Sequence, residues 1–227
     1  MAVRDALVVR GGWEGHVPVA ATELFLPFLR DAGFRVEVHE DLAVYADPDR
    51  MAAADLVVQC WSMGSISDGQ AAGLVAAVRA GTGFAGWHGG IVAAFHHNAY
   101  AQLTGGVFVH HPPGFVDHDL TVCPDRAGHP IVRGVGQVRL HTEKYWVLTD
   151  PLNDVLATVT FDPGPDGAGA ADPTPWDRSV TLPAVWTRTW GSGRVFVSTV
   201  GHRLADLTLP PVRTITERGL LWAARQK

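Results

Sequence analysis

Strand-like and helix-like patterns alternate four times within residues 5–103, and few architectures accommodate that rhythm. Asp5–Arg10 (DALVVR) is a short apolar run stopped by Gly11-Gly12, as expected of a strand buried on both faces. Pro18–Ala32 carries Leu24, Phe28 and Leu29 at helical spacing behind a proline suited to a first turn, and Gly33 ends it. Phe34–His39 alternates Phe, Val and Val with Arg, Glu and His, the period of a second strand. Asp47–Ala54 suits a short helix and Leu56–Trp61 a third strand. Ser67–Ala80 has Asp68 in its first turn and Gly81 just past its end, a helix with both limits marked. Thr82–Trp87 reads as a fourth strand and Gly90–Leu103 as a helix. This order predicts parallel strands with helices on both faces, because right-handed crossovers place them there. The expected fold class is α/β: three layers, a mostly parallel sheet flanked by helices.

The second half changes character. Val116–Val122, Val155–Phe161, Leu182–Thr189 and Arg194–Val200 look like strands, the last two joined by the hairpin signal Trp190-Gly191-Ser192-Gly193. Asp162–Asp177 (DPGPDGAGAADPTPWD) is too rich in Pro and Gly for a packed element and predicts a surface loop. Pro211–Arg225 closes the chain as an amphipathic helix with Ile215, Leu220, Leu221 and Trp222 inward. Neither a second core nor a repeat is visible, so residues 1–227 are expected to form a single domain.

Composition then removes several classes of partner. With 47% hydrophobic and 18% charged residues the chain is globular. Its 23 acids are scattered among 18 bases for a net charge of −5, which leaves no basic patch for nucleic acid or an anionic membrane. Residues 80–116 lack Asp, Glu, Lys and Arg, yet they carry Gly86, Gly89, Gly90, Asn98, Gln102 and five histidines. A membrane span needs roughly 20 mostly apolar residues, so this stretch should instead be buried or line a site. Cys60 and Cys123 are too few for a disulfide framework, and Cys60, ending a buried strand, should be reduced and packed. Charges at Arg4 and Asp5 stand where a secretory signal needs apolar residues, and a cytoplasmic location is expected.

In an open parallel sheet, ligands bind beyond the carboxyl ends of the strands. The first strand delivers Gly11-Gly12-Trp13-Glu14-Gly15-His16 there, the third Trp61-Ser62-Met63-Gly64, and the fourth Gly86-Trp87-His88-Gly89-Gly90. The last has the spacing of a nucleophile elbow, in which a central residue rides a tight strand-to-helix turn that aims backbone N–H groups at a ligand. Here the central residue is His88, suited to acid, base or metal-ligand chemistry near neutral pH. The plainer reading is a histidine hydrogen-bonded within the core. His16, His88 and His202 each follow a strand and should converge on one pocket.

These residues, with Gly105-Gly106-Val107-Phe108 before His111-Pro112-Pro113, Glu143-Lys144-Tyr145, and Gly193-Arg194-Val195-Phe196 before Gly201-His202, resemble the ThuA-like (trehalose utilisation) family. The resemblance spans nearly the whole chain and implies a flavodoxin-like, class I glutamine amidotransferase-like fold and a place in carbohydrate metabolism. It also exposes a difference. An amidotransferase needs a cysteine at the elbow and a late His-x-Glu pair, whereas this chain has His88 and His202-Arg203-Leu204. Without a thiolate no glutamyl thioester forms, and no glutaminase activity is expected.

Of the remaining candidates, Glu143 is the one carboxylate matched to the family, and it joins His88 and His202 as the catalytic set. His141 and Glu143, two apart, share a face if they lie on a strand, as a catalytic pair, two metal ligands or a surface ion pair. His110 and His111 point oppositely when extended, and the resemblance favours His111. His96 and His97 fall mid-helix, with no site role expected. Gly12, Trp13, His16, Trp61, Gly89, His111 and Tyr145 are the candidate substrate-binding residues, the aromatic ones by stacking on sugar rings. Histidines with a carboxylate suit zinc or manganese, although no H-E-x-x-H or Cys-rich signature specifies a metal. Three functions stay open: an enzyme of acid/base chemistry on a sugar or keto-sugar derivative, a non-catalytic sugar-binding or regulatory protein on an inactive amidotransferase-like fold, and a metal-dependent hydrolase. The expected partner is a small-molecule carbohydrate, with a homo-oligomer also open.

Overall fold

The computed structural model describes residues 3–164 and 175–226, so most of the expected 162–177 loop lies outside the described residues. The first half runs β1 (Arg4–Gly12), α1 (Pro18–Glu23), α2 (Leu26–Asp31), β2 (Phe34–His39), α3 (Pro48–Ala53), β3 (Leu56–Ser62), α4 (Asp68–Arg79), β4 (Gly83–Trp87), α5 (Gly89–Val92) and α6 (Asn98–Thr104). There follow β5 (Gly106–His110), β6 (Val116–Val122), β7 (Val138–Thr142), β8 (Trp146–Thr149), β9 (Asp154–Phe161), β10 (Val180–Trp190), β11 (Gly193–Ser198), α7 (Leu204–Thr208) and α8 (Pro210–Ala223).

Nine strands form one sheet in the order β2-β1-β3-β4-β11-β10-β9-β6-β7. From β2 to β11 every pairing is parallel; from β11 to β7 every pairing is antiparallel. β5 and β8 make a separate two-stranded ribbon. Alternation along β1 divides the core into two layers. Ala6 and Val8 pack with Phe25, Leu29, Ile215 and Leu220 on the side of α1, α2 and α8. Leu7 and Val9 pack with Tyr45, Met51, Leu74 and Val78 on the side of α3 and α4. Each such buried Val, Leu, Ile, Phe or Met side chain contributes about 1.5–3 kcal/mol. The limits of α4 follow the expected chemistry: Ser67 and Gln70 form a reciprocal capping box at its start.

Two long helices expected from periodicity are interrupted. Residues 18–32 divide into α1 and α2 because Pro27 has no N–H for the Glu23 carbonyl and its ring crowds that turn. Residues 90–103 divide into α5 and α6 because the segment between them pairs with the turn after β3. Met63 N–H donates to Ala93 O and Gly64 N–H to Ala94 O, both at 2.9 Å. His96 and His97 are therefore not mid-helix: His97 is the extended residue before α6, and His96 lies in the break. The apolar periodicity does not mark β5, β7 and β8, all five residues or shorter.

Candidate functional site

β4 ends at Trp87, and the next residue turns the chain. His88 takes φ 50° and ψ −144°, a backbone region that costs a non-glycine residue on the order of 1–3 kcal/mol. Tertiary contacts hold it there. Its N–H donates to Ser198 O at 2.7 Å, while Ile91 and Val92 N–H groups donate back to the His88 carbonyl. Gly90 lies against the Cys60 backbone, where a Cβ has no room, and Gln59 Nε2 donates to the Gly90 carbonyl at 2.9 Å. The elbow is thus present, with the strained position at the histidine itself. α5 is a single turn.

Four titratable side chains meet above this turn. His88 Nδ1 lies 2.8 Å from Thr199 O, and because a carbonyl only accepts, Nδ1 carries the proton. His88 Nε2 lies 3.0 Å from Glu143 Oε2. His202 Nδ1 is 3.1 Å from the same oxygen but outside hydrogen-bond alignment, which leaves that buried nitrogen without a partner. His16 Nδ1 is 2.7 Å from Ser62 Oγ. The rings of His16, His88 and His202 stand edge-on to one another at centroid separations of 4.7, 5.1 and 5.3 Å. One donor atom from each of His16, His88, Glu143 and His202 falls within 4.8 Å of all the others, so these four could hold a metal ion.

Burial governs the electrostatics. Desolvation, aided by the neighbouring His88 and His202, lowers His16 to about 3. Desolvation also lowers His88, against the opposing pull of Glu143 and Thr199. For Glu143, desolvation acts upward but is outweighed by His202 and His88, and the carboxyl is held well below its ordinary range. Tyr145, whose ring stacks on His88 at 4.1 Å, stays protonated through burial and the adjacent Glu143 carboxylate. At neutral pH the ionised Glu143 carboxylate therefore lies beside neutral imidazoles at His16 and His88.

A cavity of about 630 Å³ opens beside this cluster, within the roughly 300–1,000 Å³ typical of small-molecule sites; His16 and Glu143 line it, while His88 and His202 lie behind them. Trp13, His16, His111, Glu143 and Tyr145 line one side; Val92–Phe95, Val107 and Phe108 form an apolar wall. Of the candidate residues, the catalytic set and His16 come together in space, and Trp13, His111 and Tyr145 reach the cavity. His111 Nε2 lies 3.7 Å from Glu143 Oε1, whereas His110 is exposed beside it. Trp61 does not line the cavity: its indole fills the space between Gly11 and Gly64. Gly12 and Gly89 act by allowing close approach, Gly12 to the Ser62 carbonyl and Gly89 to the His16 ring. His141 is separated from Glu143, because β7 ends at Thr142 and the strand alternation stops there; it meets Asp117 at 3.2 Å in solvent. His96, given no role from sequence, lines the cavity mouth. Ser62 and Thr199, which fix two of the histidines, carry no signal beyond their place at strand ends.

The comparisons with known proteins agree with this architecture. No curated protein matches the sequence significantly. Among solved structures, a ThuA-like protein from Bacteroides uniformis superposes with TM-score 0.75 at 16% identity, covering 97% of this chain and 91% of that one. A ThuA-like protein from Parabacteroides merdae gives TM-score 0.69 at 17% identity, covering 100% and 93%. A protein from Salmonella typhimurium, described as cytoplasmic, gives 0.63 at 13% identity, covering 99% and 100%. At such identities the likeness is one of fold. The family model for ThuA, trehalose utilisation, matches residues 5–223. The chain belongs to the ThuA family.

Proposed function

We propose that this protein is an enzyme of carbohydrate metabolism that acts on a sugar or keto-sugar derivative by acid/base chemistry at His88, Glu143 and His202. The observation that carries the proposal is the Glu143 carboxylate, 11% exposed, between His88 and His202 at the floor of the cavity. The Glu143 carboxylate and the imidazoles beside it can accept a proton from a bound substrate, and the group that takes that proton then holds it as the acid that returns it. Abstraction of a proton next to a keto group, or elimination across a glycosidic bond, requires little more. Trp13, 47% exposed, offers a ring face for a sugar, and His111 reaches the far oxygen of Glu143. Glutamine hydrolysis does not fit this chemistry. The nearest thiol, Cys60, is buried beneath Gly90 with its pKa pushed up to about 12. A cytoplasmic setting suits the reading: no helix among the described residues is long and apolar enough to cross a membrane, and the Salmonella typhimurium relative is described as cytoplasmic.

The test is a product survey by NMR with a panel of disaccharides and their keto derivatives. Wild type should convert at least one, and Glu143→Gln should not. If wild type converts none while ligand-observed NMR shows sugar binding that Trp13→Ala weakens, the non-catalytic sugar-binding alternative replaces this proposal.

A further inference from the structure

We infer that His16, His88, Glu143 and His202 form a binding site for one divalent transition-metal ion of the zinc class. Hydrogen-bond chemistry carries the argument. The Thr199 carbonyl obliges His88 to place its proton on Nδ1. A neutral His88 then presents the Nε2 lone pair to Glu143 Oε2, 3.0 Å away, so two acceptors face each other. A cation between them resolves that conflict. His202 adds a second unmet need beside the same oxygen: its Nδ1 lies 3.1 Å away, buried and without a hydrogen-bond partner. His16 engages Ser62 through Nδ1, which leaves Nε2 for the centre.

The surroundings match those of metal-bound histidines. Such a histidine commonly donates its second nitrogen to a carbonyl or another oxygen that fixes ring and tautomer. His88 does so to Thr199 O, and Ser62 Oγ sits at the corresponding place for His16. With bonds of about 2.1 Å a tetrahedral ion keeps its donors about 3.4 Å apart. The four donor atoms span 3.0 Å at the closest measured pair and no more than 4.8 Å overall, a gap that small side-chain rotations close. Three imidazoles and one carboxylate favour zinc over the oxygen-seeking calcium or magnesium. Two of the four, His16 and Glu143, line the cavity, so an ion that they share would be within reach of a substrate oxygen and could polarise it. This rests on the proposed reaction and deepens it: with Oε2 on the ion, Glu143 Oε1, 3.7 Å from His111, stays free to take the substrate proton, and the test needs no substrate.

The purified full chain is stripped with chelator, then titrated with zinc by calorimetry, with elemental analysis for stoichiometry. One ion per chain should bind and raise the melting temperature. Glu143→Gln and His202→Ala should each weaken binding at least about 100-fold, more than loss of an outer hydrogen bond costs, and Ser62→Ala should weaken it by roughly 10-fold. His141→Ala, at an exposed histidine, should leave it unchanged. Cobalt in place of zinc should give the visible absorption of a low-coordinate site, absent in Glu143→Gln. Absence of a saturable ion in the folded wild type, or an ion whose affinity Glu143→Gln and His202→Ala leave unchanged, overturns the inference. Chelator-resistant turnover would likewise overturn the metal while upholding the acid/base reading; metal binding without turnover on any sugar would do the reverse.

Discussion

The ion pairs on the β6–β7 ladder and the cluster around Glu143 are neighbours in sequence but operate under different physics. His141 and Asp117 face each other across the ladder at 3.2 Å, 61% and 63% exposed, and Arg139 meets Asp119 at 3.5 Å in a similar setting. Water screens such pairs, which contribute at most about 1 kcal/mol. Two residues further on, Glu143 shares its carboxylate among three imidazoles under a cover of aromatic rings. There Glu143, His88 and His202 are desolvated, and removing one leaves the others unsatisfied. Proximity in the chain says little about role; solvent access separates a replaceable pair from a poised one.

The largest effect that would sharpen this contrast is on turnover. His88→Ala and Glu143→Gln should each cut it by roughly 10²–10⁴-fold, the range for a lost proton-transfer group, with circular dichroism unchanged. The comparison breaks if His141→Ala does the same. Gly89→Ala comes next, since its methyl group would overlap the His16 ring. Displacing that ring should cost about 10²-fold in turnover with the fold retained; a loss of folding instead would show that the turn, and not the ring, needs the glycine.

A smaller effect concerns strain. His88→Gly should be about 1 kcal/mol more stable than His88→Ala in denaturant melts, because only glycine adopts φ 50°, ψ −144° without cost. Equal stability would mean that the backbone relaxes once the imidazole is gone. Asp117→Ala should shift stability by no more than about 0.5 kcal/mol. The smallest effect is chemical. Burial raises the Cys60 thiol to about 12, so near pH 8 it stays protonated, whereas the partly exposed Cys123, although also raised, is accessible. A thiol reagent should label one cysteine per folded chain and two after denaturation.

Much of this architecture is legible in the sequence. Runs such as DALVVR, LVVQCW and TGFAGW are apolar enough to declare buried strands, and the ends of the first and the last lead to His16 and His88 by topology alone. Glu143 emerged only through family resemblance, because it follows a short strand with no apolar signature. The break at residues 93–97 was illegible, since backbone pairing with Met63 and Gly64 makes it, and that is a non-local choice. Trp61 misled because an aromatic residue at a strand end looks the same whether it meets a ligand or, as here, fills the gap between two glycines.

β11 has a bearing on how the chain comes to fold. It is parallel to β4 and antiparallel to β10, and the carbonyls at and just beyond its end, Ser198 and Thr199, secure the backbone and ring of His88 across 111 residues of sequence. A chain emerging from the ribosome can assemble β1 to β4 early, yet the elbow lacks its restraint until β11 has docked. Contacts of such long range are slow to form. Ligand cannot template the early steps, and its binding should appear as the last event of refolding, together with the docking of β11 and the arrival of His202.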